Sequence, residues 1–101
     1  MYMVGEGIPQ DYLEAAKWYR LAADQGEGVA QGMLATMYAN GKGVSQDNNQ
    51  ALLWANIAAA NGNKDMIVFR NLLIEEMIPD QISQAEHLAK NWKPKKSGRL
   101  D

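Results

Sequence analysis

The sequence predicts an all-α protein built from a repeated pair of helices, and three observations carry that prediction. First, the chain aligns with itself when shifted by 36 residues. Met1, Tyr2, Gly5, Gly7, Gln10, Asp11, Ala15, Trp18, Ala22, Ala23 and Gly26 fall on identical residues at 37, 38, 41, 43, 46, 47, 51, 54, 58, 59 and 62, which is 11 identities in 26 ungapped positions. Second, the apolar residues between the glycines recur at three- and four-residue intervals, the spacing of one helical face. Third, no alternating run of β-branched and aromatic residues competes with that spacing.

Each helix has a start, a face and a stop. The first is expected from Asp11 to Gln25: Asp11 with Glu14 three residues on reads as a capping box, and Gly26 supplies the left-handed stop. Within it, Leu13, Ala16 and Leu21 are expected to form an exposed apolar surface, while Trp18 is assigned to the core. The second helix places Ala30, Leu34, Met37 and Tyr38 on one stripe, keeps Gly32 and Ala35 small for a close neighbour, and stops at Asn40-Gly41. Asp47 with Gln50 opens the third, whose face runs through Ala51, Trp54, Ala55, Ala58 and Ala59 before Gly62 ends it. Met66, Phe69 and Leu73, flanked by Ile67 and Ile74, predict a fourth helix to about Glu76. Pro79 starts a fifth in its first turn, with Ile82, Ala85, Leu88, Ala89 and Trp92 sharing a face. The chain therefore divides into an array over 1–92 and a basic flexible tail over 93–101. The array comprises a partial first repeat (1–26), a second repeat (27–62) and an end segment (63–92).

Composition narrows the chemistry. One hundred and one residues suffice for one domain with a modest core. There are no cysteines and one histidine, His87, which excludes disulfides, thiolate metal sites, a cysteine nucleophile and histidine-rich metal centres. The net charge of −2 conceals a split. Residues 90–101 hold Lys90, Lys93, Lys95, Lys96 and Arg99 against Asp101, whereas residues 1–89 hold 5 basic and 11 acidic groups. An acidic body is unlike a nucleic-acid-binding domain. The tail, with Trp92 among its lysines and with Pro94, Ser97 and Gly98, is read as a solvated terminus rather than a contact for nucleic acid or membrane. No stretch reaches the ~18–20 apolar residues of a membrane span, and MYMVGEG lacks the pattern of a signal peptide, so a soluble chain of undetermined compartment is expected.

Four features invite a catalytic or ligand-binding reading. Gly41-Lys42-Gly43 could cradle a phosphate, but phosphate loops follow strands and use longer spacing, and the equivalent Gly5-Glu6-Gly7 carries an acid where the lysine stands. A helix stop and turn is the better reading. Trp18 and Trp54 could stack on a ligand, yet their identical setting among small residues assigns both to packing. Glu75, Glu76 and Asp80 are the one cluster of carboxylates, read as a solvated helix end rather than a metal or hydrolytic site. His87 beside Glu86 shows no nucleophile and orienting partner. No catalytic residue, metal ligand or cofactor is expected.

The pattern Y-x-x-G-x-G-[VI]-x-x-D-x-x-x-A-x-x-W-x-x-x-A-A-x-x-G, met twice, resembles the Sel1-like repeat, a relative of the tetratricopeptide repeat. The residues carrying it are Tyr2, Gly5, Gly7, Asp11, Trp18 and Gly26 in one unit, and Tyr38, Gly41, Gly43, Asp47, Trp54 and Gly62 in the next. Arg70 to Ala89 is similar to the segment that closes such arrays, although Ile78 stands before Pro79 where Thr or Ser is usual. A second departure is Ala55 in the place of Tyr19. The chain also opens at what corresponds to the end of a unit's first helix. The resemblance implies a right-handed α/α superhelical solenoid and a non-enzymatic adaptor or scaffold. A partner protein or peptide would lie in its concave groove, against Val29, Gly32, Thr36 and Asn40 of one helix and Asp65, Val68 and Leu72 of the next. With so short an array, self-association or helix exchange through the incomplete first repeat is expected as well. A cysteine-rich branch of the family is associated with β-lactam hydrolysis, which implies a rival enzymatic reading. The absence of cysteine and of an S-x-x-K serine here speaks against it.

Overall fold

Five helices follow one another without a strand among the described residues: α1 (Pro9–Asp24), α2 (Gly28–Asn40), α3 (Asn48–Ala60), α4 (Lys64–Ile74) and α5 (Pro79–Asn91). A computed structural model describes residues 9–94, with side chains from Tyr12 onward. The motif residues Tyr2, Gly5 and Gly7, the side chain of Asp11 and most of the 93–101 tail lie outside that range.

The turns behave as the glycines predict. Gly26, Gly41, Gly43 and Gly62 all have positive φ. Gly41 takes the left-handed conformation at the end of α2, and the backbone N–H groups of Gly41 and Lys42 both donate to the carbonyl of Met37. Gly43 is required for a second reason: a Cβ there would run into the backbone carbonyl of Tyr12 in α1. That close approach seats the α2–α3 turn on the start of α1. Asp47 then caps α3, its carboxylate accepting from the N–H groups of Asn49 (3.0 Å) and Gln50 (3.1 Å). Its own N–H donates to the carbonyl of Tyr38 at 2.9 Å rather than to Gln50, so the cap is one-sided.

α3 is the centre of the molecule, packed on α2, α4 and α5, while α1 packs on α2. Its small residues make this possible: Ala51, Ala55 and Ala58 are fully buried, so neighbouring helices approach closely on several sides. One apolar cluster joins Ala23, Ala30, Leu34, Ala35, Trp54, Ile57 and Met66. A second joins Ala51 and Leu52 to Leu73, Met77 and Ala85, closing the array on α5. The all-α solenoid predicted from the repeat is the fold observed.

Five expectations need correction. The chain is already helical at Pro9 and Gln10, so Asp11 lies inside α1 and is not its cap. Trp18 is 66% exposed, whereas Trp54, the same position one unit later, is 2% exposed. The α2 helix shares a cluster with Trp54, and no described helix occupies the corresponding place over Trp18. Ala16, expected at the surface, is buried, because it lies one heptad before the buried Ala23 on the inner stripe of α1. Leu88 is exposed instead of sharing the inner face of α5. Trp92 is not helical: it takes extended angles after Asn91 and sets its ring edge-on to Trp54, with centroids 5.8 Å apart and planes at 72°. Pro94 then reaches Gly26, so the first residues assigned to the tail run back across the array.

Candidate binding groove

The first helices of the two successive units, α2 and α4, come together at their N-terminal ends. Gly32 makes this possible. It is buried, and a Cβ on it would come within 3.0 Å of Asn63 Nδ2 and 3.2 Å of Met66 Cγ. Asn63 ties the two helices together: its Oδ1 accepts from the N–H of Met66 at 3.3 Å, capping α4, and its Nδ2 donates to the carbonyl of Gly28 at 3.4 Å. Between them opens a cleft of about 650 Å³, bounded by Gly28, Val29, Gly32, Met33 and Thr36 on one side and by residues 61–66 on the other.

The groove candidates occupy equivalent repeat positions. Val29, Gly32 and Thr36 are each 36 residues before Asp65, Val68 and Leu72. The cleft brings together Val29, Gly32, Thr36 and Asp65. Asn40, Val68 and Leu72 are exposed but lie outside its walls. Gly32 contributes backbone and packing rather than a contact surface. The Thr36 hydroxyl donates to the carbonyl of Gly32 at 3.0 Å, within its own helix. Val29 is 73% exposed, and Met33, Val68 and Leu72 also present apolar side chains to solvent, so the two helices offer aliphatic contacts beside the Asp65 carboxylate. Met33, Lys64 and Asn63 complete the cleft and were not among the predicted residues. Asn63 could have been found, since Asn-Gly-Asn before a helical pattern is a capping signal.

The chemical alternatives have plain geometries. Gly41 and Lys42 spend their N–H groups on Met37, so neither is available to a phosphate. Lys42 Nζ instead lies 5.1 Å from the centre of the Tyr12 ring. Glu75, Glu76 and Asp80 are exposed, and no group of three or more metal-ligating side chains is gathered among the described residues. His87 is exposed and its Nε2 meets Asn91 Nδ2 at 3.3 Å.

The helix pairs, their glycine turns and the tryptophan–alanine face recur at one period, and the family model described as the Sel1 repeat matches residues 1–27 and 28–63. The chain belongs to the Sel1 repeat family. Each matched Sel1 segment ends at or beside a structural joint, since Glu27 and Asn63 are the residues preceding α2 and α4. No curated protein matches the chain. Sel1 repeats are commonly protein-interaction modules, which agrees with a scaffold role and a protein partner. Among the described residues of this Sel1 chain, no helix is long and apolar enough to cross a membrane.

Proposed function

We propose that the chain is a non-catalytic adaptor that holds a segment of a partner protein along α2 and α4. The observation that carries this reading is the display of exposed aliphatic side chains on the first helices of two successive units, Val29 and Met33 on the wall of the cleft between them and Val68 and Leu72 on α4 outside it. Such a surface suits a helix or extended peptide with aliphatic anchors and a basic residue opposite Asp65. The helices beneath it are held by small-residue packing, so the surface is preformed and a partner loses little to ordering it.

The test compares the intact protein with a variant carrying Thr36→Arg and Val68→Arg, both shown folded by circular dichroism. Loss from the variant of partners captured by the wild type supports the groove. Recovery of identical partners at equal strength removes it.

Self-association through the first unit is a second part of the reading. It is favoured by Leu13, Trp18 and Leu21, three large apolar side chains that α1 turns to solvent.

A further inference from the structure

The cleft between α2 and α4 has both walls inside the described chain, and the chain after α5 is led toward it. Trp92 takes extended angles as it sets its ring against Trp54, and Lys93 is restricted to extended angles because a proline follows it. Pro94 then arrives at the joint between α1 and α2, where a Cβ on Gly26 would lie 3.4 Å from Pro94 Cβ. The rim of the cleft is close by. Gly28, which lines it, is two residues from Gly26 and therefore within ~7 Å. The Gly28 carbonyl accepts from Asn63 Nδ2 of the opposite wall at 3.4 Å. Residues 95–101 span up to ~23–25 Å when extended, so they reach past Asn63 to Asp65 with chain to spare.

The composition of that segment fits the surface it can reach. It reads Lys95-Lys96-Ser97-Gly98-Arg99-Leu100, three cations and one aliphatic side chain. The cleft offers the exposed carboxylate of Asp65, with exposed Glu27 one residue before Gly28 at the rim, against one cation, Lys64. Its aliphatic side chains, Val29 and Met33, are 73% and 41% exposed. In an extended segment Lys95 and Lys96 would pass Glu27, Arg99 would meet Asp65, and Leu100 would lie against Val29 and Met33.

We infer that Lys95–Leu100 docks in the α2–α4 cleft of its own chain, and that a partner displaces it with the same pairing of basic and aliphatic side chains. This assignment rests on the groove reading and gives the groove a ligand class. Because the segment is tethered at Pro94, its effective concentration at the cleft is on the order of millimolar. Even a weak contact is then filled for much of the time, so partner binding is attenuated rather than blocked.

Titration of the isotope-labelled full-length protein with a synthetic peptide of residues 93–101, KPKKSGRLD, followed by amide chemical shifts, tests it. The wild type is compared with a tail variant carrying Lys95→Ser, Lys96→Ser, Arg99→Ser and Leu100→Ser, and with that variant carrying Asp65→Lys as well. The peptide should move the amides of Val29, Met33 and Asp65, and should bind the tail variant ~2–10-fold more tightly than the wild type. Without peptide, the wild-type amides should lie between the free and peptide-saturated positions of the tail variant. Asp65→Lys, at an exposed position, should leave the circular dichroism unchanged and weaken the peptide by ~10-fold. Equal affinity for wild type and tail variant, with the shifts still in the cleft, overturns the docking of the chain's own segment but keeps the ligand class. Shifts elsewhere, indifference to Asp65→Lys, or no shifts in the tail variant overturn both. The groove reading itself then still stands if the Thr36→Arg and Val68→Arg variant loses the partners that the wild type captures.

Discussion

Asn61 Nδ2 donates to Gln31 Oε1 across 2.8 Å, joining the end of α3 to the first turn of α2. Gln31 extends the link by donating from Nε2 to the carbonyl of Ala23, 3.1 Å away at the end of α1. Its side chain is completely buried, so these contacts replace the water it has lost. Three helix ends are thereby fixed at one point, on the same side of the array as Gly26 and Pro94.

Replacing this link should weaken the fold in a coupled way. Gln31→Leu is expected to cost about 1 kcal/mol, since Ala23 retains a second donor in the N–H of Gly26. Gln31→Ala, which adds a cavity, should cost about 2–4 kcal/mol. In urea titrations of Gln31→Leu, Asn61→Ala and the double variant, a coupling energy of about 0.5–1.5 kcal/mol is expected. Strict additivity would show that the two side chains act independently.

The two repeat tryptophans should respond oppositely to the same substitution. Trp54→Ala removes a buried ring that also supports Trp92 and lies under the Arg20 guanidinium at 5.8 Å, and should cost about 3–5 kcal/mol. Trp18→Ala should change monomer stability by less than about 0.5 kcal/mol. Thermal melts at low protein concentration check this, and equal losses at the two sites would contradict the difference in burial.

Helix starts offer a loss and a gain. Asp47→Ala deletes the two hydrogen bonds that cap α3 and should destabilise by about 1 kcal/mol. α5 begins instead at Ile78, which has no side-chain cap and is largely exposed. Ile78→Ser is therefore expected to stabilise by about 0.5–1 kcal/mol, read as a higher urea midpoint at unchanged slope.

Two glycines with positive φ separate backbone strain from collision. Gly62 has φ +95 and nothing within 4 Å of the place a Cβ would take, so Gly62→Ala should cost about 1–2 kcal/mol, the left-handed penalty alone. Gly43 has φ +77, and its Cβ would strike the carbonyl of Tyr12, so Gly43→Ala should cost at least ~1–3 kcal/mol more. Denaturant midpoints of the two variants give the comparison directly.

Much of this fold was legible because its signals are local. The stop of α2 at Gly41, the cap at Asp47, the proline start of α5 and the alanine face of α3 each depend on residues within one or two turns. Asp11 shows the limit of local reading: a good capping sequence lies inside a helix that already includes the two residues before it. The groove was legible only as positions. The repeat located Val29, Thr36 and Asp65, but the cleft's closure by Asn63 and Met33 depends on how near α4 lies to α2.

By itself the sequence determined the class, the period, the starts of α3 and α5 and the glycine turns, because spacing along a chain sets which side chains share a face. Only the tertiary structure decided that Trp54 is core and Trp18 is surface, that Gln31 is buried between three helix ends, and that Trp92 leaves its helix to cover Trp54. Identical residues at identical repeat positions have identical local preferences. Their burial differs because it is conferred by neighbours: α2 packs with Trp54, and no described helix packs over Trp18.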